Sequence, residues 1–426
     1  MSPGPFTSLQ RCITVVIAGL LLLVGGPASA DEAKLEEKKV TLYYYLRTSA
    51  AKGGGKSLGP FTSNNNHPLL DGAIIGVSWP QTHPKRGQFD WSVVDQYLAD
   101  WTVGGKPLIL QLVPYTQIPI AGDPNGDNAV TPQWVYETGV PRITFTSGGA
   151  GRGRKVSVPK VWDTAFYTDY EEYVRGLAAK VGGDSRVAGI AIGIGHNGNL
   201  TAQPSPNGGP AFQSAGWTLD VWEQHAKRLI DIFAKHFSQK KLFIQVTSIY
   251  IRNVMVPQHL EPTKRILKHA AENKVSILFR ELDPDVHKFN RTGIRELVGY
   301  LSTLNPAPGF MIGLADDWPL WVPEVRSKQC PGPTCGRDVN GFHRELSLAL
   351  DVWSSINQKI PMFLVFNEQE ASATNKNDSR NFNRAVYDVA VAALTGRLEP
   401  APSSTSEQQS QPAPERPRKK RRAPSQ

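Results

Sequence analysis

Eight short segments built almost wholly from apolar residues recur along the chain, and they limit its fold more than any other feature. They are residues 39–46 (KVTLYYYL), 72–79 (GAIIGVSW), 107–113 (PLILQLV), 187–195 (VAGIAIGIG), 242–247 (LFIQVT), 275–279 (VSILF), 309–314 (GFMIGL) and 361–366 (PMFLVF). A strand with one wet face alternates apolar and polar residues. These runs do not alternate, so both of their faces must be covered, as in a parallel sheet wrapped by helices. Parallel strands need long crossovers, and stretches with helical spacing supply them. Asp90-Trp91-Ser92 opens the first of these after strand two, and others fall at 165–181, 219–237, 262–273, 294–304, 346–356 and 382–394. Eight β/α units in 426 residues predict an α/β protein of the (β/α)8 TIM-barrel type. The 38 glycines and 33 prolines predict long loops on its C-terminal face. A doubly wound sheet fits less well: no G-x-G-x-x-G follows a first strand, and the glycines at 148–153 lie in a loop.

The barrel body is expected over residues 35–398, flanked by two segments of different composition. Residues 1–30 carry Arg11, an apolar run at 13–24 and Ala28-Ser29-Ala30 before Asp31, the pattern of a secretory signal peptide. No later stretch is long and apolar enough for a membrane span. This predicts a secreted or periplasmic protein. In an oxidising compartment Cys330 and Cys335, which close the short loop CPGPTC, are expected to form a disulfide. A metal site would need more ligands than His343 nearby, so neither a metal nor another cofactor is expected.

Residues 399–426 are rich in Pro, Ser and Gln and end in Arg416, Arg418, Lys419, Lys420, Arg421 and Arg422, which account for part of the +9 net charge. Such a tail cannot bury apolar surface and reads as disordered. The basic run would suit nucleic acid, but a signal peptide argues against a specific nucleic-acid partner. Weak contact with an anionic surface, or plain solvation, remains.

In a TIM barrel the chemistry sits at the C-terminal ends of the strands. That rule selects Arg47 after strand one and Trp79 after strand two. Gln111 lies in strand three, with Tyr115 and Gln117 beyond it. His196 and Asn197 follow strand four, and Gln245 and Ser248 belong to strand five. Arg280, Glu281 and Asp283 follow strand six; Asp316, Asp317 and Trp318 follow strand seven; Asn367, Glu368 and Glu370 follow strand eight. Acids and amides that hydrogen-bond hydroxyls, with aromatic faces for ring C–H groups, make a sugar-binding set. Of the ten tryptophans, those in helices such as Trp222 and Trp353 are expected in the core. The expected substrate-binding groups are Arg47, Trp79, Gln111, His196, Asn197, Gln245, Trp318 and Asn367. Glycoside cleavage needs two carboxyl groups, about 5–5.5 Å apart with retention and about 6.5–9.5 Å apart with inversion. The candidates are Asp317, Glu368, Glu281, Asp316 and Glu370. Neither H-E-x-x-H, G-x-S-x-G nor a Walker loop occurs, which leaves metalloprotease, esterase and nucleotidase readings without support.

The residues around strand two also resemble a known group. Trp79, Pro84, Gly87, Phe89, Asp90, Trp91, Ser92 and Asp95 fit a pattern found in clan A glycoside hydrolases, notably the family-42 β-galactosidases. Thr131-Pro132-Gln133-Trp134 and AKVGGDSRVAGIAIG (179–193) extend the resemblance to about residue 200. It implies a (β/α)8 barrel acting on a carbohydrate substrate. In clan A the acid/base Glu ends strand four and the nucleophilic Glu ends strand seven. Here strand four ends in GIGHNGN without a Glu, strand seven offers Asp316 and Asp317, and an Asn-Glu pair, Asn367-Glu368, falls on strand eight. Two readings follow: a glycoside hydrolase with relocated carboxylates, with His196 as a substitute acid/base, or a catalytically silent glycan-binding barrel of the envelope or of exopolysaccharide biology.

Overall fold

The computed structural model describes residues 41–46, 72–102, 105–147, 153–202, 207–246, 257–282, 294–301, 303–305, 310–314 and 362–367. The order of elements is β1 (Thr41–Leu46), β2 (Gly72–Val77), α1 (Trp79–Thr82), α2 (Ser92–Thr102), β3 (Leu108–Leu112), α3 (Gln133–Glu137), β4 (Arg142–Thr146), β5 (Lys155–Pro159), α4 (Thr164–Val181) and β6 (Val187–Ile192). There follow α5 (Gly209–Ser214), α6 (Leu219–His236), β7 (Lys241–Val246), α7 (Pro257–Glu272), β8 (Val275–Leu282), α8 (Ile294–Leu301), β9 (Phe310–Leu314) and β10 (Met362–Asn367).

Eight of the strands form a closed barrel in the order β1-β2-β3-β6-β7-β8-β9-β10. Every neighbouring pair is parallel, and β1 closes on β10 with Thr41 opposite Phe363 and Tyr45 opposite Asn367. These are the eight apolar runs, so strand eight is β10 and Asn367 is its last residue.

Side chains alternate between two cores. One set, including Ile75, Val77, Leu110, Leu112, Ile190, Ile192, Ile244 and Ile277, packs outward against the helices. The other, Ile74, Ile109, Ala191, Phe243 and Leu278, fills the lumen. A Cβ at Gly189 would lie 2.6 Å from the Phe243 ring, so that glycine makes room for the bulkiest lumen residue. Helix starts follow capping chemistry. Asp163 accepts from Ala165 N at 3.0 Å to open α4, and Thr218 accepts from Val221 N at 3.1 Å to open α6.

Three sequence expectations are corrected here. The stretch after β3, read as irregular, contains an antiparallel hairpin, β4–β5, that buries Ile143, Phe145, Val156 and Val158. Helix α7 begins at Pro257 and runs through Pro262, which was expected to start it. Strand β8 continues to Leu282, with a register shift against β9 between Phe279 and Leu282, so Glu281 lies inside the strand and not after it. Such irregularities re-aim side chains at barrel rims.

The expected signal peptide, the basic tail, Cys330 and Cys335, and the helices at 346–356 and 382–394 lie outside the described residues. Among the described residues no helix is long and apolar enough to cross a membrane.

Candidate functional site

The described part of the barrel mouth is built on strands two to five. Beyond β6 the chain makes a tight turn at 195–199 wedged between the extensions of its neighbours. His196 N donates to Thr201 O at 2.9 Å, Asn197 N to Tyr115 O at 3.0 Å, and Leu200 N to Gln245 O at 2.9 Å. Close approach explains its glycines. A Cβ at Gly193 would come within 2.2 Å of Leu112 O, and one at Gly195 within 2.3 Å of Thr201 O. Gly198 has φ of +79° and packs on the Gln111 amide, where a Cβ would lie 2.7 Å from Nε2.

Gln111 is fully buried in β3, and its Nε2 donates to Asn197 O at 3.1 Å. Gln245 is likewise buried in β7, beside Asn199 in a short parallel bridge. Asn197 is exposed and adopts a left-handed backbone, φ 53°. Thr116 Oγ1 donates to its Oδ1 at 3.0 Å. The structure therefore brings Gln111, His196, Asn197 and Gln245 together at the ends of strands three to five.

Trp79 does not join them. Its indole is fully buried, stacked on Tyr173 with centroids 5.3 Å apart and edge-on to Trp134 and Phe166. The chain enters α1 at this residue and turns the ring under α4, so Trp79 is a core residue with no face for a sugar. The rest of the strand-two pattern is scaffold too. Gly87, at φ +73°, donates its N–H to Glu172 Oε1 at 2.9 Å. Asp90 Oδ1 accepts from Ser92 N at 3.0 Å to start α2, and Asp95 binds Lys180 at 2.7 Å. In the Thr-Pro-Gln-Trp motif, Thr131 Oγ1 donates to Pro114 O at 2.8 Å and Trp134 Nε1 to His83 O at 2.9 Å.

His196 is 9% exposed, and its Nδ1 is buried without a hydrogen-bond partner. Burial lowers its pKa from the ordinary 6.5 to about 3. The ring is therefore neutral near pH 7 and cannot supply a proton as an imidazolium acid, which removes it as a substitute for the missing Glu. No Asp or Glu stands at 78–83, 113–117 or 193–202 either. This side of the mouth can hold a ligand through neutral hydrogen bonds but cannot transfer protons.

Two residues that sequence reasoning missed organise this half. Asn128, fully buried, accepts through Oδ1 from Thr116 N at 3.3 Å and donates through Nδ2 to Tyr136 Oη at 3.1 Å and Ser157 O at 3.2 Å. It ties the loop after β3 to the β4–β5 hairpin and fixes Thr116 beneath Asn197. A buried Asn in a long loop has no sequence signature, whereas Thr116, four residues beyond β3, falls within reach of the strand-end rule.

Arg47, Asp316, Asp317, Trp318, Glu368 and Glu370 lie outside the described residues; Glu281 and Asn367 are placed through the backbone of β8 and β10 alone. Among the described residues no three His, Cys, Asp or Glu side chains gather to hold a metal.

No protein-family model and no curated protein matches this chain. Among solved structures it is similar to the catalytic domain of the β-amylase from Paenibacillus polymyxa, at TM-score 0.53 and 13% identity, over 85% of this chain and 100% of that one. It also matches a thermostable mutant of a xylanase from Cellvibrio japonicus, at TM-score 0.48 and 12% identity, over 84% and 97% of the two chains. The likeness shows a shared TIM-barrel architecture of the glycosidase type. The family-42 resemblance rests on the sequence pattern around Trp79.

Proposed function

We propose that the chain is an exported carbohydrate-active barrel, a glycoside hydrolase acting on oligo- or polysaccharide with a carboxylate pair from the ends of strands six to eight. The observation that carries this reading is the closure of β1 on β10. It supports the count of eight strands, and that count assigns Glu281 to strand six, Asp316 and Asp317 to the end of strand seven, and Glu368 and Glu370 to the end of strand eight. One carboxylic acid protonates the glycosidic oxygen as the C–O bond breaks. The other, as carboxylate, attacks the anomeric carbon or activates a water. Gln111, His196, Asn197 and Gln245 hold sugar hydroxyls on the opposite side of the mouth, and Arg47, Trp318 and Asn367 complete the substrate-binding set.

Export is supported by Ala28-Ser29-Ala30 before Asp31. The barrel domain spans 35–398, with Cys330 bridged to Cys335. The partner is a carbohydrate, with no specific nucleic acid and no cofactor, and the tail from residue 399 makes weak contact with anionic surfaces.

The test is turnover of the chain from Asp31 onward on a panel of aryl-glycosides and polysaccharides, with new reducing ends read by mass spectrometry. Substitution of Asp317 or Glu368 by the amide should then abolish cleavage while binding persists. A second reading, a silent glycan-binding barrel, is favoured by the acid-free end of strand four. Binding across the panel without any cleavage would establish that reading in place of the first.

A further inference from the structure

Asn197 combines three properties that a purely structural turn residue does not need. Its backbone is left-handed at φ 53°, a conformation that costs a non-glycine residue on the order of 1 kcal/mol or more and that glycine adopts freely. The chain uses glycine at the next position, Gly198, with φ of +79°. The Asn197 side chain is exposed, and only its oxygen is engaged, by Thr116 Oγ1 at 3.0 Å; among the described residues its Nδ2 has no partner. Strain kept at an exposed amide points to use of that amide.

The neighbouring residue gives an independent sign of the same kind. His196, nine-tenths buried beside Asn197, leaves Nδ1 without a partner, and buried polar atoms are seldom left so unless something outside the protein satisfies them.

The orientation of the amide is imposed from behind. Asn128 Oδ1 accepts from Thr116 N at 3.3 Å, and Thr116, only 2% exposed, has its hydroxyl directed to Asn197 Oδ1. With the oxygen held by that hydroxyl, the NH2 group must face away from Thr116.

We infer that Asn197 donates a hydrogen bond from Nδ2 to an oxygen of the bound sugar, and that Thr116, backed by Asn128, is the positioning residue that presents it. This rests on the carbohydrate reading above and adds the atom, its polarity and the relay that aims it. Because the group is a neutral donor, it suits a hydroxyl, ring oxygen or carboxylate of the sugar equally and contributes no proton to any reaction.

The experiment uses the chain from Asp31 onward with four substitutions, an immobilised panel of neutral and uronic oligosaccharides, and KM wherever a member is cleaved. Asn197→Gly keeps the backbone and removes the amide. Asn197→Asp keeps the acceptor for Thr116 and removes the donor. Both should weaken binding about tenfold, the size of one hydrogen bond to a ligand. Asn197→Gly should leave the melting temperature unchanged or raised, which a structural role for the side chain would not produce. Thr116→Val should weaken binding to a similar degree, and Thr116→Ser, which keeps the hydroxyl, should restore it to within about twofold. Wild-type affinity in both Asn197 variants overturns the inference and leaves the carbohydrate reading standing. No binding of any panel member by the wild type overturns both.

Discussion

Replacing Trp79 by Ala would remove a fully buried indole from a ring of four aromatic neighbours, Trp134, Phe166, Tyr170 and Tyr173. Truncations of this kind cost about 3–5 kcal/mol, so urea denaturation of Trp79→Ala should show a loss in that range. A loss below about 1 kcal/mol would mean that the ring is not the keystone its packing suggests. The buried imidazoles set the pH response. Burial lowers His196 to about 3 and His225 to about 4, from an ordinary 6.5. Folded, both stay neutral; unfolded, both take up protons as the pH drops below 6.5. Stability is thus fully present above that pH and falls progressively toward pH 3–4. The urea midpoint should decline from pH 7 to pH 4.5, and His196→Gln should flatten that decline. An identical slope in the variant would rule out His196 as a contributor.

At the scale of elements, the β4–β5 hairpin hangs on one ion pair. Arg142 Nε and Nη2 grip the carboxylate of the fully buried Asp127 at 2.7 and 2.8 Å, and the guanidinium lies 4.0 Å over the Tyr136 ring. Arg142→Ala leaves that carboxylate buried without its cation, at a cost of about 3 kcal/mol. Hydrogen exchange should quicken over residues 142–159 while the barrel strands keep their protection; uniform protection across both would contradict the hairpin's dependence on Arg142. The hairpin was in principle legible. RITFT and KVSVP alternate, and a glycine-rich turn separates them, but its short apolar content hid it beside the continuous runs of the barrel. Those runs were legible because strands covered on both faces leave no choice of residue type. Roles at the rim were less so. The strand-end rule places Trp79 at the mouth, whereas the backbone turns at once into α1 and carries the ring inward. Gly87, Asp90 and Asp95 of the same pattern serve a turn, a helix start and an ion pair. That pattern therefore speaks to architecture and not to chemistry.

For the whole molecule, the barrel is complete only with its eighth strand. A chain ending at Ile360 lacks β10, leaving β1 and β9 as open edges and the lumen uncovered. It should show no cooperative thermal transition, whereas a chain ending at Leu398 should melt as the full chain does. A cooperative melt from the shorter chain would show that the closing strand is dispensable. The acids assigned to strands six to eight depend on the same closure, since strand number is what gives each of them its place around the mouth.

Closure also has a consequence in time. Thr41 and Phe363, which sit opposite each other in the sheet, are separated by roughly 320 residues of chain. At a synthesis rate of about 5–20 residues per second, the first strand waits on the order of half a minute for its last partner to be made. During that interval its backbone donors and acceptors are open to any other extended chain. A nascent chain of this topology cannot finish folding while it is being made, so it reaches an export machinery still unfolded and completes its longest-range pairing only after release.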